Sequence, residues 1–247
     1  MTTRKDSEST ESHMKYARID TSAGILDGKY EDGTVHTDEG TYEPPEYDLL
    51  APCEPSVFYC VGRNFGEKVE QMDYDVPDEP DFFIKPPVSV HDPESPIPYP
   101  SFSTELTYAG ELAAVIDTEC KHVDVDDVDD VVRGYTILND LDCLDQERRT
   151  ARKAFDSSGP LGPVIADVEP VGLEMTTHIN GERRQKDNTE NMFAKPREVI
   201  SFLSERFTFR PGDVISFGSP ANPGVLEPGD EIEIYYEGIG TLRNRIA

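Results

Sequence analysis

The sequence has no tryptophan, only nine lysines and four cysteines, and no long apolar run. A membrane-spanning helix needs about 18 or more consecutive apolar residues, so no such helix is predicted. The cysteines form no C-x-x-C pair, which argues against a disulfide framework or a cysteine-ligated metal. They predict buried free thiols in a reducing cytoplasm. The first thirteen residues are polar and lack the apolar core of a signal peptide, so residues 1–13 are predicted to be a disordered extension.

Positive charge is also scarce. Acidic residues number 50 and basic residues 23, which gives a formal net charge of -27. The negative electrostatic field of such a chain repels phosphate backbones and anionic lipid surfaces, so neither nucleic acid nor a membrane is expected as a partner. Because the acidic residues are spread along most of the chain, the pattern indicates adaptation to concentrated salt, where charges are screened within about 3 Å at 1 M. We therefore predict that the protein comes from a halophile and assign the charge to habitat rather than to function.

The N-terminal part of the chain predicts short strands. Asp27-Gly28 and Asp32-Gly33 are turn signals of the hairpin kind between apolar residues. Residues 14–55 are therefore predicted to form a small N-terminal β region. At 247 residues, the chain is long enough for one large domain beside this region.

Residues 56–247 predict a mainly β domain of the α+β class. Short apolar runs separated by turns, such as Asn180-Gly181, indicate many strands. Apolar residues at helical spacing predict helices at 125–132 and 196–207, and Asn64 is a candidate cap for a helix at 65–72. Strands with few helices are typical of an antiparallel or mixed β architecture.

A series of short motifs follows one another in this region. They are Tyr59-Cys-Val-Gly-Arg-Asn-Phe, Phe83-Ile-Lys-Pro-Pro, Gly110-Glu-Leu-Ala-Ala-Val-Ile, Gly134-Tyr-Thr-Ile-Leu-Asn-Asp, Lys153-Ala-Phe-Asp, Pro160-Leu-Gly-Pro, Asn180-Gly-Glu, Gly218-Ser-Pro and Gly238-Ile-Gly-Thr-Leu-Arg-Asn. In order and spacing the series resembles the catalytic domain of the fumarylacetoacetate hydrolase family. The resemblance implies a mixed β-sheet roll, a homodimer, and a bound Mg²⁺ or Mn²⁺. The ion chelates a small 2-oxo or β-dicarbonyl carboxylic acid and stabilises its enolate.

The resemblance also implies the metal ligands. In similar proteins two glutamates, two residues apart, begin the apolar strand, and an aspartate follows the glycine-tyrosine strand. Residues i and i+2 of a strand share one face, so such a pair can hold one ion. Glu111 matches the second glutamate and Asp140 the aspartate, but the first glutamate is replaced by Ala109. Mg²⁺ is often held by one or two carboxylates with water and substrate oxygens, so a site completed by substrate is still expected.

A second departure concerns water activation. Many hydrolytic members carry a histidine and a glutamate three residues apart on one helix face as a general-base dyad. The matching residues are Lys68 and Gln71. Glutamine takes no proton at neutral pH, and lysine is a base only where its pKa is lowered by burial or by nearby positive charge. Lys68 is therefore a candidate catalytic residue, with a solvated helix lysine as the alternative.

Several other positions match the family pattern. By resemblance, Lys153 and Lys85 are predicted to be catalytic and to stabilise negative charge on the substrate or its enolate. The candidate substrate-binding residues are Arg63, Asn64, Gln185 and Ser219.

Two functional hypotheses remain open. The first is a cytoplasmic, metal-dependent enzyme of this family, acting by hydrolysis, decarboxylation, isomerisation or dehydration. The second is a catalytically degraded paralogue that serves as a metabolite-binding or oligomerising protein. The second hypothesis is motivated by Ala109, Lys68 and Gln71. These residues stand at the positions of a metal ligand and of the general-base dyad in the family pattern.

Overall fold

Strands dominate the fold. The computed structural model describes residues 13–247, so the extension predicted at residues 1–13 lies outside the described residues except for His13. The nineteen strands of this part are β1 (Lys15–Thr21), β2 (Gly24–Glu31), β3 (Thr34–His36), β4 (Thr41–Tyr42), β5 (Tyr47–Leu50), β6 (Phe58–Gly62), β7 (Asp81–Lys85), β8 (Val90–His91), β9 (Pro96–Ile97), β10 (Leu106–Thr107), β11 (Gly110–Ile116), β12 (Val132–Asn139), β13 (Asp142–Cys143), β14 (Gly159–Ala166), β15 (Glu174–Ile179), β16 (Glu182–Asn188), β17 (Val214–Ser216), β18 (Glu231–Tyr236) and β19 (Gly240–Ile246).

Helices are few and short. The described residues form α1 (Gly66–Gln71), α2 (Arg149–Lys153) and α3 (Pro196–Ser204). Three 3₁₀ helices lie at Pro87–Ser89, Val125–Asp130 and Thr189–Asn191. The predicted mainly β, α+β class is confirmed. None of the helices in residues 13–247 has the length and apolar character needed to cross a bilayer.

The larger sheet is mixed and joins the N-terminal strands to strands of the main domain. Its strand order is β4-β3-β2-β1-β14-β12-β11-β17-β6-β7, with β5 paired to β1 and β8 to β14. Lys15 in β1 lies opposite Ala166 in β14, and β6 runs parallel to β17. The predicted N-terminal β region, residues 14–55, therefore extends the same sheet that carries the main domain.

A second sheet of five strands, in the order β16-β15-β18-β19-β9, shares the main core with the first. Strand β11 is buried along its whole length. Leu112, Ala114 and Ile116 pack in the main core, whereas Ala113 and Val115 pack in a smaller cluster on the other face. Alternation along the strand explains this division, because successive side chains point to opposite faces. Because β11 is buried on both faces, a charged residue near its start lies in the interior of the protein.

The structure corrects the predicted helices in type, length and number. The segment predicted as an α-helix at 125–132 forms a 3₁₀ helix at Val125–Asp130. Only Val128 among its residues is buried, so little apolar packing supports a longer α-helix. Helix α3 ends at Ser204, three residues before the predicted end at residue 207. Helix α2 was not predicted from the sequence, and it carries Lys153.

Candidate active site

The end of the β11–β12 pair places two carboxylates in the interior. Glu111, in β11, lies opposite Leu138 of β12. Asp140 directly follows β12, and its backbone N–H donates to the carbonyl of Ala109 over 2.9 Å. Glu111 is 3% exposed and Asp140 1%. Buried charges require partners, so the neighbours of these two groups define the site.

Two lysines neutralise Asp140. The Lys85 ammonium, at the end of β7, donates to Oδ1 over 2.7 Å, and the Lys153 ammonium, at the end of α2, donates to Oδ2. Burial raises the pKa of Asp140, but the two ammonium groups outweigh it and lower this pKa overall. Burial likewise lowers the pKa of Lys153, and the charges of Asp140 and Asp142 raise it by more. The result is a buried cluster of two lysines around one aspartate.

Glu111 has a different environment. Its Oε2 accepts from the Ser216 hydroxyl over 2.6 Å and from the Gly218 N–H over 3.2 Å. Gly218 has φ +86°, and a Cβ there would lie 3.1 Å from the carbonyl of Val61, so this turn requires glycine. Burial and the nearby charge of Asp140 raise the pKa of Glu111 to about 7.

The turn that binds Glu111 also binds Lys68. The Lys68 ammonium, on α1, donates to the Ser219 hydroxyl over 2.6 Å. Burial lowers the pKa of Lys68, whereas the negative charge of Glu111 raises it, and the net shift is downward. Gly218 and Ser219 therefore connect the second carboxylate to a third ammonium group.

Gln71 takes no part in this cluster. It is exposed and exchanges two hydrogen bonds with Asn222, of 3.0 Å and 2.8 Å. It lines a cavity of about 580 Å³ together with Tyr108, Arg183 and Arg184. The two helix positions of the family's dyad thus contact different partners.

The predicted substrate-binding residues Arg63 and Asn64 have other partners. Asn64 is buried; its amide donates to the carbonyls of Ala194 and Phe217 and accepts from the N–H of Ala194. The Arg63 side chain is 39% exposed and lies 3.6 Å from Asp81, at a separate cavity of about 210 Å³. Asn64 therefore fixes the loop after β6 in place. It does not cap helix α1 as predicted, because the N-cap residue is Phe65 and the Asn64 amide is bonded elsewhere. Substrate contact by either residue stays a prediction.

Gln185 is also buried and bonded within the protein. Its amide nitrogen donates to the carbonyls of Pro220 and Ala221, and its oxygen accepts from Thr177. These bonds hold the segment that follows Ser219, so Gln185 positions the turn around the Lys68 hydrogen bond. Direct binding of substrate by Gln185 stays a prediction.

Sequence reasoning missed two residues of the site. Ser216 donates to Glu111, and Asp142 is bonded to Arg152 over 2.8 Å and 2.6 Å. Asp142 also lies 3.4 Å from the Lys153 ammonium. Asp142 could have been identified only by its position two residues after Asp140. In a chain with fifty acidic residues, that position alone does not distinguish it from a surface carboxylate.

The donor set does not fit a divalent cation. Within residues 13–247, no three histidine, cysteine, aspartate or glutamate side chains come together as a metal site. Ala109 is buried beside Asp140 and offers only a methyl group. Both oxygens of Asp140 already accept from ammonium groups. The predicted ligands Glu111 and Asp140 are thus neighbours, but their surroundings supply positive charge rather than further oxygen ligands.

Comparison with known proteins agrees with the motif series. Residues 57–247 match the family model described as fumarylacetoacetate (FAA) hydrolase C-terminal. The chain belongs to the fumarylacetoacetate hydrolase family. Oxaloacetate tautomerase YisK from Bacillus subtilis is 34% identical over 225 residues, which cover 83% of this chain and 75% of YisK.

Solved structures of the fumarylacetoacetate hydrolase family share the fold. The 2-hydroxyhepta-2,4-diene-1,7-dioate isomerase from Mycobacterium marinum has a TM-score of 0.88 and 32% identity, over 95% of this chain and 98% of that one. Fumarylpyruvate hydrolase from Pseudomonas aeruginosa, in complex with Mn²⁺ and pyruvate, has a TM-score of 0.73 and 27% identity, over 82% of this chain and 92% of that one. By name these relatives are a tautomerase, an isomerase and a hydrolase, so homologues of this chain are enzymes.

Proposed function

We propose that this protein is an enzyme that acts on a small 2-oxo or β-dicarbonyl carboxylic acid through its enolate, with tautomerisation as the favoured reaction. One observation carries the proposal: a buried cluster in which Lys85 and Lys153 flank Asp140 beside Glu111. An enolate develops negative charge on an oxygen. Ammonium groups held in a buried site stabilise such charge far better than water does.

Each charged residue of the cluster has its own role. Lys153 lies at the rim of the cluster, with 15% of its side chain exposed, and is placed to meet the substrate. Glu111 is the carboxylate placed to take a proton from the carbon next to the oxo group and to deliver it to the enolate oxygen, which gives the enol. Lys85 has no exposed surface and serves to keep Asp140 ionised and in place.

The contacts of Lys68 and Gln71, both on helix α1, favour reactions that need no activated water. Lys68 is bonded to Ser219, and Gln71 is bonded to Asn222. The two side chains do not form an acid–base pair, so the usual general-base arrangement for hydrolysis is absent from the described residues. Tautomerisation and decarboxylation pass through the enolate and need no attacking water. The name of one relative, oxaloacetate tautomerase, supports the same reaction class.

Other expectations stay predictions. These are a homodimer, a cytoplasmic location, a halophilic source, and no nucleic-acid or membrane partner. The Mg²⁺ or Mn²⁺ predicted at Glu111 and Asp140 stays a prediction as well, and the donor set argues against it. No step of the proposed function depends on the ion.

The test is turnover of oxaloacetate, followed as decay of its enol absorbance, in concentrated KCl. The wild type should accelerate the decay, and Lys153→Met should lower the rate about 100-fold or more because it removes charge stabilisation from the transition state. Lys186→Met is the matched control, since Lys186 is half exposed and lies 3.8 Å from Glu174 at the surface. Full activity in Lys153→Met would overturn the assignment. Absence of turnover with oxaloacetate and with related 2-oxo acids would favour the degraded paralogue.

A further inference from the structure

Three of the nine lysines converge on one buried site. The ammonium groups of Lys68, Lys85 and Lys153 outnumber the carboxylates of Glu111 and Asp140 by one. The next carboxylate, Asp142, is paired with Arg152, so this pair adds no net charge. The site therefore carries an excess of positive charge inside a chain whose overall charge is -27.

Both departures from the family pattern change the charge in the same direction. Ala109 removes a carboxylate from the position beside Asp140, where the two backbones are joined by a 2.9 Å hydrogen bond. Lys68 adds an ammonium where the pattern has a histidine. Together these two substitutions make the cluster more positive by two elementary charges. Gln71, which replaces the glutamate of the dyad, is bonded to Asn222 outside the cluster.

A positive site repels a divalent cation and attracts an anion. In a buried site this effect is strong, because charges interact through a lower effective dielectric than in water. A second argument is geometric, since the Asp140 oxygens are both engaged by ammonium groups that an ion would have to displace. Breaking such buried pairs is costly.

We infer that the site binds the substrate anion directly through the ammonium groups of Lys68 and Lys153, in place of a divalent cation. This inference rests on the proposed function, because it takes the substrate to be a 2-oxo acid. The three lysines have different roles in the site. Lys85 is fully buried and donates to Asp140 and to the carbonyl of Leu141, so it is a positioning residue. Lys68 and Lys153 are less enclosed, and each has three N–H donors, so donors remain for a ligand.

The test uses oxalate as a mimic of the planar 2-oxo acid enolate, titrated by calorimetry into the full-length protein in concentrated KCl. One arm contains EDTA and the other Mn²⁺, with the heat of the Mn²⁺–oxalate reaction measured without protein and subtracted. We expect saturable binding in EDTA, and less than a twofold change in affinity with Mn²⁺. Lys68→Met should weaken binding about tenfold or more, since a charge-assisted bond is lost. Lys186→Met should bind like the wild type.

A double variant provides the converse test. Ala109→Glu combined with Lys68→His restores the family's residue types at two of the three changed positions and makes the site more negative by two charges. We expect it to lose oxalate binding in EDTA and to regain it with Mn²⁺. Circular dichroism of both proteins establishes that each is folded.

The outcomes separate this inference from the proposed function. Oxalate binding by the wild type that requires Mn²⁺, or no oxalate binding in either arm, would overturn the direct-binding inference. Oxaloacetate turnover that stops in EDTA would leave the proposed function standing and overturn the inference alone. Oxalate binding in EDTA without turnover of any 2-oxo acid would support the inference about the site and sink the enzymatic assignment.

Discussion

The surface and the candidate site of this protein have opposite charge. Over the whole chain, acidic residues exceed basic residues by more than two to one. In the site, the ammonium groups of Lys68, Lys85 and Lys153 outnumber the carboxylates of Glu111 and Asp140. The next carboxylate, Asp142, is paired with Arg152. The surface charges are screened by salt within a few ångströms, whereas buried charges are screened much less. Net charge therefore says little about the local field in the interior, which depends on a few residues and their burial.

The largest effect is expected from breaking the buried cluster. Lys85→Met removes the charge partner of Asp140 on one side and should lower the free energy of unfolding by about 3 to 5 kcal/mol. Denaturant unfolding at fixed KCl concentration measures the change. The surface variant Lys186→Met should change stability by less than about 0.5 kcal/mol, because Lys186 is half exposed.

A double variant sharpens this comparison. Asp140→Asn in the Lys85→Met background removes the carboxylate that has lost one of its two lysine partners, and should recover part of the lost stability. If Lys85→Met were as mild as Lys186→Met, the buried lysine–aspartate pair would not be the feature that holds the site together.

A smaller, pH-dependent effect is expected for Glu111. Its pKa is raised from 4.5 to about 7 in the folded protein by burial and by Asp140, so the folded state holds this proton more tightly than the unfolded state. The stability that this group contributes is fully present below pH 4.5 and is lost as the pH rises to about 7. Glu111→Gln does not titrate there and keeps a side chain that can accept from Ser216. The variant should therefore gain about 1 to 3 kcal/mol relative to the wild type between these limits. A constant difference across this range would contradict the account.

The smallest effect concerns the surface. Asp126, Asp127 and Asp130 are exposed in one short 3₁₀ helix. Converting all three to asparagine should raise the free energy of unfolding by a few tenths of a kcal/mol in about 0.1 M KCl. The gain should disappear at about 1 M KCl, where surface repulsion is screened. Thermal unfolding of both proteins at the two salt concentrations tests the halophile prediction, and an equal gain at both would count against it.

Much of the fold could be predicted from local patterns. The apolar run from Leu112 to Ile116 and the Asn180-Gly181 turn predict strand β11 and the β15–β16 hairpin correctly, since alternation and turn chemistry act over a few residues. Helix α2 escaped prediction because its five residues, Arg149–Lys153, carry no apolar periodicity. The pairing of β1 with β14 also escaped, because contacts between distant segments leave no local signal.

The site could be predicted only in part. The motif series pointed to Glu111, Asp140, Lys85 and Lys153, which the structure brings together. It did not show that both oxygens of Asp140 are bonded to lysines, because hydrogen-bond geometry depends on tertiary packing, here the contacts of α2 with β7 and β13. The internal bonding of Asn64 and Gln185 was hidden for the same reason.

The most direct test of the central claim is a titration of the wild type with Mn²⁺, followed by the electron paramagnetic resonance signal of the free ion, with and without oxalate. The account predicts that the protein leaves the free Mn²⁺ signal unchanged beyond the loss that oxalate causes in buffer alone. A protein-dependent loss of signal that grows with oxalate and vanishes in Asp140→Ala would contradict it, and would place the ion at Glu111 and Asp140 after all.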